Sequence, residues 1–452
     1  MKLKSTLFSL LIGGSLGFAQ TNPAILEWMQ NSTIMGSHYV SGNSTAINDN
    51  VLANIQTVQY SASSVYVTTN GIPAYTTGPF LDGNPSLATD QNAIFKFPLN
   101  PFQNTGTPTA TTGGNIGVFV NGVALFDYRD GVSWKNSTSS LCGGPIAPPC
   151  TGDGVWNRDA VVAERAGFDC SKGHPAMGNY HHHQNPSAYK LDLTVLSYIC
   201  TLYDADGLYV IDSTQHSPLI GFAYDGFPIY GAYGFKNADG TGGIVRIKSS
   251  WTLRNITTRT TYYTGASVTA GPAVSASYPL GYFREDYQYT APIASDYLDE
   301  HNGRFCVTPE YPAGIYCYFA TVDANWNSAY PYAVGPTFYG VKTAAKVTSI
   351  SESVTTYTAP ATGISTVQNE LFEVNVYPNP ASDLVAIQIN GINKENLNVE
   401  LFDATGKLVQ KSNIYQGKTI AYFDTQAIYS GIYFVKIIGS EGISTRKIVI
   451  QK

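Results

Sequence analysis

Residues 219–231, reading Leu-Ile-Gly-Phe-Ala-Tyr-Asp-Gly-Phe-Pro-Ile-Tyr-Gly, constrain the fold more than any other stretch of the chain. Two alternating apolar runs flank Asp225-Gly226, a strong signal for a tight hairpin turn. Pro228 cannot donate to a strand ladder, so the second strand should lie at a sheet edge or begin late. The same grammar recurs along the chain. Residues 116–126 predict a hairpin on an Asn121-Gly122 type I′ turn, and residues 65–73, 94–98 and 310–319 read as strands with turns. Helical patterning is confined to short stretches at 24–31 and 155–167, while tyrosine and threonine, which suit pleated surfaces, are abundant. The expected fold is mainly β: a large irregular antiparallel β domain with short helices, followed by a small C-terminal β-sandwich.

Composition shifts divide the chain. Residues 1–19 have the basic start, short apolar run and small-residue cleavage site of a secretory signal peptide. That run is too short to cross a bilayer, and no later run is longer, so no transmembrane segment is expected. Residues 20–343 form the main extracellular domain, within which 236–280 is a less constrained Thr/Ser-rich excursion. Residues 344–368 have linker composition. Residues 369–452 carry their own alternating strands and no cysteine, as expected of a separate sandwich.

Charge and cysteine usage narrow the function classes. Loss of Lys2 and Lys4 with the signal takes the formal charge from −6 to −8, and the terminal 84 residues are balanced, so the excess acid lies in the main domain. An acidic domain is a poor partner for phosphate backbones, which excludes nucleic acid. All six cysteines fall in that domain, and in an exported chain they point to disulfides. Proximity favours Cys142 with Cys150 and Cys306 with Cys317, leaving Cys170 with Cys200.

The candidate site is centred on residues 178–183, Gly-Asn-Tyr-His-His-His. In an extended segment His181 and His183 share one face while Tyr180 and His182 share the other. Two imidazoles on one strand face suit a divalent transition metal, and neutral imidazoles favour Cu or Zn. A metal needs more ligands. His174 and His216 come next, each of which can instead be a turn histidine bonded to backbone beside a proline. Asp169, Asp225 and His301 stand behind them. For His301 the competing reading is surface pairing with Asp299 and Glu300, and for Asp225 the turn explains the aspartate without a metal. Tyr180 and Tyr224 are candidates for orienting a ligand. There is no HExxH, Gly-x-Ser-x-Gly, phosphate loop or dinucleotide fingerprint. The competing function is a metal-free surface module whose exposed aromatics bind glycan or polymer. A short echo of residues 178–183 at 314–319 (Gly-x-Tyr-Cys-x-Phe) is too brief to establish a repeat by itself.

The tail resembles the C-terminal sorting domain of the type IX secretion system. The resemblance rests on Tyr377-Pro378-Asn379-Pro380-Ala381-Ser382-Asp383, on residues 401–407 and 429–434, and on Arg446-Lys447-Ile448-Val449-Ile450. It implies a Gram-negative exported protein that passes the periplasm and then the outer membrane with the type IX machinery as partner. Such cargo is secreted or held at the cell surface, in some cases on lipopolysaccharide. The main domain resembles the YHYH family, named for a Tyr-His-Tyr-His motif that here reads Tyr180-His181-His182-His183, with the third position altered. Gly173-His174-Pro175, residues 216–221 and 225–231, Asn302-Gly303-Arg304 and Tyr330-Pro331-Tyr332 extend the likeness. The later Gly-x-Tyr of the family continues with histidine, whereas this chain has Cys317, so a role for that histidine does not carry over.

Overall fold

A computed structural model describes residues 22–80, 87–144, 150–187, 207–358, 374–391, 394–403, 407–439 and 442–452. The expected signal peptide and Cys200 lie outside the described residues. The chain divides into two compact units, Met1–Thr358 and Ala359–Lys452.

The first unit is built on an eight-stranded sheet. Its strands are β1 (Asn115–Phe119), β2 (Ala124–Phe126), β3 (His174–Ala176), β4 (Asn179–His182), β5 (Leu219–Ala223), β6 (Pro228–Tyr230), β7 (Gly303–Cys306) and β8 (Ile315–Phe319), in the spatial order β3-β4-β2-β1-β5-β6-β8-β7. A five-stranded sheet, ordered Ala345–Val347, Ala93–Pro98, Ser64–Thr69, Ile55–Tyr60, Thr355–Tyr357, shares its core. Val58, Val65, Phe95 and Phe97 meet Val118, Phe222, Ile229 and Tyr318 there, with Trp28 at 5.2 Å from Phe222 and 5.5 Å from Phe97. Burial of these large side chains is the main source of stability, at roughly 1.5–3 kcal/mol each.

The eight-stranded sheet repeats itself about its middle. β1 and β5 pair antiparallel, with Val118 opposite Phe222, Phe119 opposite Gly221 and Gly117 opposite Ala223. Each opens a hairpin with the same register break: Asn115 and Gly117 face Phe126 and Leu125, as Leu219 and Gly221 face Tyr230 and Ile229. β2 then pairs parallel with β4, and β6 parallel with β8. The two central glycines are required by this close crossing. A Cβ on Gly117 would lie 2.8 Å from the Phe222 carbonyl oxygen, and one on Gly221 2.7 Å from that of Val118.

The same correspondence holds outside the ladder. Asp169 accepts the N–H of Ser171 and Gly173 at 2.9 and 3.0 Å and the Tyr180 hydroxyl at 2.9 Å. Asp299 accepts the N–H of His301 and Gly303 at 2.9 and 3.1 Å and the Tyr316 hydroxyl at 2.9 Å. Lys172 and Asn302 hold matching positive φ angles of 65° and 64°. The echo between residues 178–183 and 314–319 is therefore the visible trace of a structural repeat.

Several local expectations need correction. The Asn121-Gly122 hairpin forms, but only Gly122 has positive φ (82°), so the turn is not type I′, which needs both residues there. β6 is interior and begins at Pro228, which thus opens the strand rather than marking an edge. Residues 345–347 and 355–357 add the outer strands of the five-stranded sheet, so the first part of 344–368 is not linker. The helices shrink to Pro23–Leu26 and Ala160–Ala163. Cys142 and Cys150 are bridged, and Cys170 is disulfide-bonded. Cys306 and Cys317 are unbonded with sulfurs 3.2 Å apart; they face Ile315 and Arg304 across the ladder and not each other.

The second unit packs a three-stranded sheet (Val374–Tyr377, Leu384–Ile389, Ile420–Asp424) and a four-stranded sheet around Val385, Ile387, Leu401, Val435 and Ile448. Both sheets are antiparallel and contribute inward residues at every second position, as a sandwich requires.

Candidate metal centre

The hairpin β3–β4 turns through Met177 and Gly178, both at positive φ (50° and 85°). Its register sets His174 directly opposite His181. Pleat alternation then places His183, two residues on, beside His181. The Asp169 bracket fixes where β3 starts; a Cβ on Gly173 would sit 2.4 Å from the Tyr180 hydroxyl. On the opposite face, Tyr180 and His182 enter the core, where His182 Nε2 meets the Tyr75 hydroxyl at 2.8 Å and Nδ1 meets the Lys172 carbonyl at 3.0 Å. The altered third position of the motif is thus a core position.

On the candidate face, His174, His181 and His183 are all buried and offer ligand atoms within 4.8 Å of one another. This buried triad could hold a metal. The backbone fixes its tautomers. His181 Nδ1 has the Asn179 carbonyl at 2.9 Å, and His183 Nδ1 has the Asp127 carbonyl at 2.6 Å. A carbonyl only accepts, so both Nδ1 atoms carry hydrogen. In neutral rings both Nε2 atoms are then bare lone pairs, and they face each other at 3.0 Å. Such a pair needs a cation between the rings, either a proton or a metal.

Glu164 joins this group. It caps the C-terminal end of Ala160–Ala163, a helix anchored by Asp159, whose side chain accepts from Val161 N and the Tyr332 hydroxyl. Its Oε2 lies 3.3 Å from Nε2 of both His174 and His183. Donors around a tetrahedral Zn at about 2.0–2.1 Å would be roughly 3.3 Å apart. Phe126 stacks on His181 at 3.8 Å, and Phe168 meets His174 edge-on at 4.9 Å, walling the cluster with apolar rings. Burial, then the neighbouring His183 and His174, pushes His181 well below the ordinary imidazole range. Burial would raise the Glu164 carboxyl, but its close contacts with His174 and His183 outweigh it and hold the group well below the usual range.

Other sequence candidates lie elsewhere. His216 packs on Tyr230, Phe235 and Phe319, and its Nδ1 donates to the Ser217 carbonyl at 2.8 Å. β2, β1 and β5 separate its neighbour β6 from β4, so the structure does not bring it to the cluster. Asp169 is the turn bracket already described. His301 bonds Thr337 Oγ1 at 2.7 Å and lies 3.8 Å from Glu300. Neither proposed orienting tyrosine touches the ligand rings: Tyr180 serves Asp169, and Tyr224 packs edge-on against Phe97 at 6.2 Å. Main-chain carbonyls orient the imidazoles instead. Sequence reasoning missed Glu164. The available signal was an acid at a helix C-terminal end, where the backbone carbonyls favour a cation.

The repeat explains why only one such cluster forms among the described residues. The positions equivalent to His174, His181 and His183 are Arg304, Cys317 and Phe319, and Arg304 lies over the Phe319 ring at 5.5 Å.

Asp225 is buried, but not for the turn geometry expected of it, since its φ is not positive. It accepts the Tyr318 hydroxyl at 2.6 Å and the Gly340 N–H at 2.8 Å. Burial pushes its carboxyl up to about 6. A carboxyl raised above its unfolded value of about 3.8 contributes stability below that pH and loses it as pH rises through about 6. Stability of the wild type should therefore fall by about 2 kcal/mol between pH 4 and 6 relative to Asp225→Asn. Urea midpoints of the two proteins across that range check the slope.

Residues 94–331 match the family model described as YHYH protein. Residues 375–451 match the secretion system C-terminal sorting domain. No curated protein matches the chain. A solved DUF3244-family protein from Bacteroides vulgatus, with an immunoglobulin-like β-sandwich fold, is similar at 13% identity, covering 18% of this chain and 88% of its own, with a TM-score of 0.16.

Proposed function

The chain belongs to the YHYH protein family, and we propose that its family domain is an extracellular metal-binding module in which His174, His181, His183 and Glu164 hold one divalent transition ion. The chain carries a type IX sorting domain and is secreted or displayed at the cell surface, with the type IX machinery as its partner. No helix among the described residues is long and apolar enough to cross a membrane.

One observation carries the reading: two buried imidazoles, each with Nδ1 committed to a carbonyl, point their Nε2 lone pairs at each other over 3.0 Å. Three nitrogens and one carboxylate oxygen suit Zn or Cu. Glu164 is the most exposed of the four, at 26%, so an ion or an exchangeable ligand enters on its side.

The competing occupant of the gap is a proton. Titration calorimetry of chelator-stripped chain with Zn²⁺ and Cu²⁺ separates the two. The account expects one site, proton release on binding, and loss of the site in His181→Ala/His183→Ala. Absence of a stoichiometric site for either ion, in protein whose circular dichroism is native, would contradict it.

A further inference from the structure

We infer a second ligand site in the first unit, a cleft that takes a neutral oligosaccharide, independent of the metal reading. The cleft has a volume of about 330 Å³ and is lined by Trp251, Tyr263, Tyr287 and Tyr330, with Arg284 and Glu300 among its polar groups.

Its aromatic walls are pre-built. Tyr287 stacks on Tyr330 with ring centroids 4.0 Å apart and planes 7° from parallel. Trp251 meets Tyr330 at 5.8 Å and Tyr263 at 5.3 Å, both edge to face. Trp251 Nε1 is committed to the Glu300 carbonyl at 3.1 Å, which holds the indole in place. Tyr263 closes the wall and is 46% exposed, with its ring edge held against Trp251. Trp251 and Tyr330 are buried behind Tyr263 and Tyr287 and hold those two rings rigid, so they supply contact area at small entropic cost.

The polar groups select the occupant. Arg284 Nε is taken by Glu285 at 2.7 Å, while its Nη1 is shielded from solvent and has no hydrogen-bond partner among the described residues. A guanidinium does not deprotonate, so that N–H calls for an oxygen. The Glu300 carboxylate, at 52% exposed, offers acceptors on the same rim. A ligand that fits must have flat apolar faces for the rings and hydroxyls at its edges that both donate and accept. A pyranose ring has that chemistry. Two carboxylates against one guanidinium, in a chain of formal charge −6, disfavour uronate or sulfated polymers and nucleic acid.

The test uses the full chain on an array of neutral and acidic oligosaccharides, with titration calorimetry of the hits. Binding of a neutral glycan is expected, weakened at least tenfold in Tyr263→Ala with an unchanged urea midpoint, and retained in His181→Ala/His183→Ala. Arg284→Gln, a half-buried substitution, should weaken the same glycan in protein shown to be folded. Failure of every neutral glycan to bind, preference for acidic ones, or affinity unchanged in Tyr263→Ala would each overturn the inference. Because the histidine variant keeps the cleft, this failure is distinct from failure of the metal reading.

Discussion

Glu164→Gln should weaken metal binding by at least the ~10–100-fold that follows removal of a group supporting the ligands. The substitution keeps the shape and removes the negative charge that lies 3.3 Å from two of the proposed ligand nitrogens. A buried dication faced by three neutral imidazoles and no carboxylate retains its full charge in a site walled by Phe126 and Phe168. The variant should fold normally, because the Glu164 backbone makes the helix-closing bond to Ala160 whatever its side chain. Competition titration against a chelator of known affinity checks the change. Equal affinity in the two proteins would remove Glu164 from the ligand set and leave a three-histidine site.

Asp286→Ala should destabilise the first unit by about 3–5 kcal/mol, the cost of leaving a buried charge without its partner. Arg259 and Asp286 form a fully buried bidentate pair, at 2.7 and 2.8 Å. Arg259 also donates to the carbonyls of Pro272, Tyr278 and Pro279, and lies 4.9 Å over the Phe283 ring. Asp286 in turn accepts the N–H of Gly281 and Phe283. One ion pair thus organises residues 259–286, a stretch with almost no regular strand. All five tryptophans precede the second unit, so fluorescence-detected urea unfolding reports on the first unit alone. The double change Arg259→Met/Asp286→Leu should recover much of the loss, since apolar groups of similar volume replace buried pairs well. A loss under about 1 kcal/mol for Asp286→Ala would mean that the excursion folds independently of this pair.

That excursion shows where sequence reading ran short. Residues 236–280 look unconstrained because the strands Ile244–Arg246 and Trp251–Leu253 are only three residues long and the chain from 259 on takes its order from one arginine reaching five oxygens, which leaves no periodic trace. The hairpins were legible because alternation and Asn-Gly or Asp-Gly pairs are local signals. Local signals also placed His181 and His183 on one face and Tyr180 with His182 on the other, and proximity brought out Cys142–Cys150. The repeat left only Gly-x-Tyr in common between residues 178–183 and 314–319. Its stronger correspondences are backbone events: Gly117 against Gly221, Asp169 against Asp299, and positive φ at Lys172 and Asn302. Such matches need coordinates, because unlike side chains satisfy the same geometry.

Three of the four residues proposed as ligands could be named from the sequence. His174 followed from its nearness to the motif, and cross-strand register completed the placement. His216 was equally near a proline and equally plausible, but four steps of the sheet separate β4 from β6, beside which it packs. Glu164 arrives from a helix ten residues upstream of His174, by a tertiary contact that no spacing rule encodes.

Elemental analysis of the secreted chain, purified without a histidine tag or chelator, tests the central claim most directly. The account predicts about one equivalent of Zn or Cu per chain, reduced to background in His181→Ala/His183→Ala that is otherwise folded. Native protein with no stoichiometric transition metal, before and after reconstitution, would contradict it and leave a shared proton between His181 and His183.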